Sequence, residues 1–132
     1  MSEQNVEFVK RVYGAFARGD VPAVLGSFAE DIEWFEAEGL PYGGVYHGPD
    51  AVAQNVFGPI TSDVDGFALV TGEFIASGAT VVAVVRYTGT GKATGKALDV
   101  PGVHIWDIRD GKLARLRQLI DTVKFAEVVP TA

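Results

Sequence analysis

Residues 97–120 read ALDVPGVHIWDIRDGKLARLRQLI, and the way this stretch turns back on itself decides the fold. Two largely apolar runs, Ala97 to Ile108 and Leu113 to Ile120, flank Arg109-Asp110-Gly111-Lys112, residue types suited to a tight turn between antiparallel strands. Phe67 to Ile75 and Thr80 to Thr88 read as two further strands, separated by a Gly-containing break. Upstream the period changes. Val6, Val9, Tyr13, Phe16 and Ala17 recur at helical spacing, Ser2 can cap the start, and Gly19 supplies a left-handed stop. Asp20, Val21 and Pro22 open a short second helix with Val24, Leu25 and Phe28 toward the core, and Ile32 to Glu36 follows as a strand. Gly39 to Gly48 lacks a clean period and reads as a loop or lid, and Pro49-Asp50 opens a third helix that Gly58-Pro59 ends. Helices first and antiparallel strands later predict an α+β domain with helices on one face of a curved sheet.

Composition narrows the function. The 132 residues suit one domain, 1–132, with no linker or repeat to divide it. With no cysteine, disulfides and thiolate chemistry are excluded, and the reducing cytoplasm is the expected address. Neither a signal peptide nor a membrane span can be drawn, so no membrane partner is expected. A net charge of −6 repels phosphate backbones, and Arg115 with Arg117 is too small a basic cluster to bind nucleic acid. Neither His47 nor His104 has a second ligand at metal-binding spacing, and the glycines around Gly89, Gly91 and Gly95 do not form a phosphate loop, so no metal or cofactor is expected. A hydrophobic small molecule is the partner that remains.

Its pocket is sought among polar side chains that interrupt apolar faces, because an unpaired buried polar group costs about 1–3 kcal/mol. Gln118 shares a strand face with Ala114, Leu116 and Ile120, where it either ties off a backbone group or orients a ligand. The position of His104 depends on the hairpin turn. A two-residue Asp110-Gly111 turn sets His104 opposite Arg117 on the outer face. A three-residue turn with Gly111 in a bulge pairs His104 with Leu116 and Trp106 with Ala114, on the Gln118 face. The second register is preferred because it gathers Asp107, Arg109, Arg115 and Arg117 where opposite charges meet in water. His104 is then a pocket residue with the pKa class of a general acid or base. Glu36, on one strand face with Ile32 and Trp34, is either a carboxylate at the pocket mouth or a solvated strand end. Tyr13 reads as core or pocket wall. Arg86 interrupts Val81, Val82, Val84 and Val85, placing a cation in the cavity or at a sheet edge. Asp121 reads as the cap of a C-terminal turn beginning at Thr122.

The order Tyr13 to Asp20, Phe28 to Asp31, Tyr46 to Val52, Val103 to Trp106, Asp110 to Leu113 and Ile120 to Thr122 resembles the SnoaL-like group of the nuclear transport factor 2 and ketosteroid isomerase superfamily. The resemblance covers nearly the whole chain. It implies a cystatin-like, cone-shaped α+β barrel with a curved, mixed but mostly antiparallel sheet, a deep apolar cavity, and homodimers formed through the outer sheet face. The fold hosts many activities, so residues are compared singly. Glu36 falls where ketosteroid isomerases carry the general-base aspartate, but Val12 rather than Tyr13 falls at the oxyanion tyrosine, and Val103 or His104 replaces the second acid. His104 matches the pocket histidine of SnoaL cyclases, whereas Gln118 stands at their acid/base aspartate. Arg86 matches the arginine of limonene epoxide hydrolase, while Thr88 and Gln118 replace its two aspartates. The resemblance implies a cofactor-free isomerase, cyclase or lyase that moves a proton on a hydrophobic carbonyl compound through His104 or Glu36. Gln118, Trp106, Trp34, Tyr13, Arg86, Leu116 and Ile120 would line the substrate site. The alternative is a non-catalytic binder or a structural dimerisation module of the same shape.

Overall fold

Burial follows the helical period at the N-terminus of the computed structural model, which describes residues 2–130. Helix α1 (Ser2–Ala17) buries Val9, Val12 and Ala15 and already includes Ser2, so that residue is helical rather than a cap. Gly19 takes the left-handed conformation (φ 72°), and Asp20 caps α2 (Val21–Gly26) by accepting a bond from the Ala23 N–H at 3.2 Å.

Six strands form one sheet in the order β2-β1-β6-β5-β4-β3. They are β1 (Phe28–Glu36), β2 (Gly44–His47), β3 (Val64–Ser77), β4 (Thr80–Gly91), β5 (Ala97–Arg109) and β6 (Lys112–Ile120). Among the described residues β1 and β6 pair in parallel and every other strand pair is antiparallel. The sheet is curved and cone-like but not closed, since β2 and β3 remain edges. Asp121 caps α5 (Thr122–Val128) by accepting from the Lys124 N–H at 3.0 Å, and α5 buries Phe125 and Val128.

Three further local expectations change. The stretch expected to be a loop from Gly39 to Gly48 contains edge strand β2 and buries Leu40 and Tyr42. An edge strand with one neighbour needs no clear apolar alternation, which is why the period was missing. Gly58-Pro59 does not end the third helix either. Helix α3 (Pro49–Val52) runs through a π-helical turn (Ala53–Phe57) into α4 (Gly58–Asp63). In that wide turn the Gly58 N–H reaches Ala53 O, and Pro59 falls in the first turn of the next α segment, where a missing N–H costs little.

The third change concerns the hairpin. The turn is the two-residue Asp110-Gly111 form, with Arg109 paired to Lys112, and both turn residues have positive φ (52° and 72°). A register shift follows at once. Ile108 pairs with Leu113 but Asp107 with Arg115, so Ala114 is an extra residue in β6. That bulge restores the parity which the two-residue turn alone would reverse. His104 therefore pairs with Gln118, not Leu116, and Trp106 with Leu116, not Ala114. The expected face is correct and the expected device is not. On the outer side Arg117 lies 3.6 Å from Asp107, and Arg115 stacks over Phe35 at 5.2 Å.

Candidate active site

Four strands and one helix converge on the concave side. Ile32, Trp34 and Glu36 point inward from β1, and the parallel pair Trp34 with Leu116 aligns β1 with β6. His104 and Trp106 project from β5, Gln118 from β6, Tyr87 from β4 and Tyr13 from α1. With neighbouring aromatic and aliphatic side chains, Trp34, Glu36 and the side chains from β4, β5, β6 and α1 line a cavity of about 50 Å³. That is room for on the order of four waters or a compact ligand core. Of its lining, Phe16, Phe57, Phe67 and Leu69 are half-buried and mark the solvent side.

The polar groups are buried: Glu36 and His104 are each 4% exposed and Gln118 is 5% exposed. They are tied into one network. The Tyr13 hydroxyl meets His104 Nδ1 at 2.5 Å, and the Tyr87 hydroxyl meets His104 Nε2 at 2.5 Å. Trp106 Nε1 donates to the Tyr13 oxygen at 2.9 Å, and Gln118 Nε2 donates to the Tyr87 oxygen. The other end of the amide, Gln118 Oε1, accepts from the Ala37 backbone N–H at 2.8 Å. Both roles considered for Gln118 thus coexist: it satisfies a backbone group and holds a pocket residue.

Burial sets the ionisation of this network. With no carboxylate bonded to either ring nitrogen, desolvation pulls the His104 pKa down to about 3, so the imidazole is neutral near pH 7. Burial raises both phenols, which stay protonated. Glu36 is pushed up to about 7 by burial, against the opposing hydrogen bonds from Trp34 and Gln118. Its Oε1 accepts from Trp34 Nε1 at 2.8 Å. Near neutral pH this carboxyl exists in both protonation states, a condition suited to taking and returning a proton.

Of the residues expected in the substrate site, Tyr13, Trp34, Glu36, His104, Trp106 and Gln118 line the cavity. Arg86 does not. Its side chain is 48% exposed and pairs with Asp99 at 2.6 Å on the outer face. Leu116 lies in the core behind the cavity wall, and Ile120 packs on the second core cluster beside Phe125, so neither lines the cavity. Sequence reasoning missed Tyr87. The signal was present, because Val81, Ala83, Val85 and Tyr87 share one strand face, which is buried, while Arg86 shares the other with Val82 and Val84. His47 is exposed, and among the described residues no group of three or more metal-ligating side chains occurs. No helix of those residues is long and apolar enough to cross a membrane.

The family profile for a SnoaL-like domain matches residues 9–116. The chain belongs to the SnoaL-like family. Among solved structures, this SnoaL-like chain is similar to an NTF2-like protein from Burkholderia thailandensis, with 31% identity, TM-score 0.91 and 98% of each chain covered. It is also similar to TerC, crystallised with polyporic acid, at 28% identity and TM-score 0.86 over 96% of this chain and 98% of that one. An uncharacterised protein of Mycobacterium tuberculosis is 28% identical over 116 residues, covering 88% of each sequence.

Proposed function

We propose that this SnoaL-like protein binds a small apolar carbonyl compound and moves a proton on it without a cofactor, with Glu36 as the base. The observation that carries this reading is the Glu36 carboxyl: it is buried in an apolar cavity wall with one oxygen anchored by Trp34, and its pKa of about 7 poises it between protonation states. The carboxylate takes a proton from the carbon beside the carbonyl, and the C–H electron pair moves into an enolate. A hydrogen-bond donor in the wall stabilises the enolate oxygen, and the proton returns to the same carbon or to a conjugated one. His104 is neutral and engaged at both nitrogens, which suits positioning the two tyrosines better than accepting the proton. The presence of polyporic acid in the TerC crystals supports an organic ligand for this fold.

Solvent deuterium entering the α-position of cyclohexanone, followed by proton NMR, tests the reading. Exchange is expected to rise with pH through about 7 as Glu36 ionises, and to fall by on the order of 100-fold or more in Glu36→Gln. Cyclohexanone bound in the cavity with exchange no faster than in buffer would instead make the protein a binder.

We also propose a homodimer formed through the outer sheet face. There Ile75, Val82, Ile105, Arg117, Phe35 and Val45 make one register-matched row across all six strands, beside the shorter row Val84, Val103 and Leu119. Leu119 is 61% exposed and Val70 52% exposed on this face, an apolar expanse that a second copy would cover.

A further inference from the structure

Counting hydrogens around His104 yields a rule about the ligand. The Tyr13 oxygen accepts from Trp106 Nε1 and the Tyr87 oxygen from Gln118 Nε2, so each phenol has an N–H donor besides its contact with His104. A neutral imidazole carries one N–H and one bare nitrogen. One tyrosine must therefore donate its hydrogen to the ring, whereas the other must accept the ring's N–H. The accepting tyrosine has two donors on its oxygen, and its own O–H is left to point elsewhere. Tyr87 is 3% exposed, and its ring sits in the space above Gly102, where an added Cβ would lie 3.0 Å from the Tyr87 ring. Tyr13 is the more open of the two and also lines the cavity.

We infer that His104 carries its hydrogen on Nδ1, and that the cavity consequently presents one phenolic O–H donor, that of Tyr13, which selects ligands bearing a single oxygen acceptor in an otherwise apolar frame. This deepens the proposed function and rests on its reading of the cavity as a ligand site, but it does not depend on any proton transfer by Glu36. Tyr13 and His104 then act as one unit: the histidine orients the phenol, and the phenol touches the ligand. Two N–H bonds on the Tyr13 oxygen also stabilise charge there, which strengthens its O–H as a donor.

Two measurements test it. In the protein labelled with ¹⁵N-histidine, long-range proton-nitrogen correlation is expected to show His104 as the Nδ1–H tautomer at neutral pH. The Nε2–H tautomer or a doubly protonated ring would overturn the assignment. Binding of cyclohexanone and of methylenecyclohexane, which replaces the oxygen with CH₂, is then compared by NMR titration in wild type, Tyr13→Phe and Tyr87→Phe, with thermal unfolding confirming that each is folded. Tyr13→Phe is expected to weaken the ketone about tenfold relative to the hydrocarbon, and Tyr87→Phe to change that ratio less than threefold. An unchanged ratio in Tyr13→Phe, or a larger change in Tyr87→Phe, overturns the inference. Binding of neither compound to wild type overturns both it and the ligand-site reading. Selective ketone binding without deuterium exchange sinks only the proton-transfer reading.

Discussion

Glu36 and His104 shift in opposite senses, and the pair has a consequence for stability. His104 falls from 6.5 to about 3 on folding, so the stability tied to its neutral form is complete above pH 6.5 and is lost as pH falls toward 3. Glu36 rises from 4.5 to about 7, so the stability tied to its protonated form is complete below pH 4.5 and is lost as pH rises through 7. Each slope is about 1.4 kcal/mol per pH unit. Between pH 4.5 and 6.5 the two slopes cancel. Glu36→Gln removes one of them, and urea unfolding should then show the variant losing about 2 to 3 kcal/mol relative to wild type on going from pH 6.5 to 4.5. His104→Gln should show the reverse, losing stability relative to wild type as pH rises over the same range. Parallel profiles for wild type and both variants would mean that neither group is buried as described. These two residues were legible in the sequence because a polar side chain on an apolar face stands out. Tyr87 was legible only as a buried position and not as a site residue, since a tyrosine among valines looks like ordinary core until its hydroxyl partner is known. Arg86 misled for the opposite reason: a charge within a valine run marks the wet face as readily as a pocket.

At the scale of elements, strand and helix positions were readable wherever one periodicity dominated, as in α1, β4 and β5. The ends and the irregular joints were not. Ala114 is chemically unremarkable as a bulge residue, and nothing in its side chain announces that it shifts β6 by one place; only the pairing of Asp107 with Arg115 reveals it. The π-helical turn before Pro59 is hidden likewise, because a proline after glycine is the usual mark of a helix end. Gly102 is a joint of another kind. It lies under Tyr87 with the Leu119 carbonyl 3.1 Å from where a Cβ would project, so β4, β5 and β6 meet there without spare volume. Gly102→Ala is expected to cost about 1–3 kcal/mol in chemical denaturation and to displace Tyr87 from His104, visible as a changed His104 ¹⁵N shift. A stable variant with an unchanged shift would show that the three strands can yield.

For the whole molecule, the convex face carries apolar rows crossed by Arg115 and Arg117, while the concave face carries the cavity. Reversing both arginines to glutamate should convert a dimer to monomers in sedimentation, because two acidic side chains would be placed within the apolar contact. A dimer that survives the change would move the interface elsewhere. The parallel pairing of β1 with β6, which joins Phe28 to Leu113 and brings Gln118 to Ala37, also fixes when the pocket can exist. During synthesis β1 and β5 are both made before β6, and each waits for the neighbour that residues 112–120 supply. A chain halted before that point has Glu36 and His104 but no strand to hold them together. A ligand that fits the cavity therefore recognises only chains that include β6 and, by mass action, draws newly made chains toward the folded state.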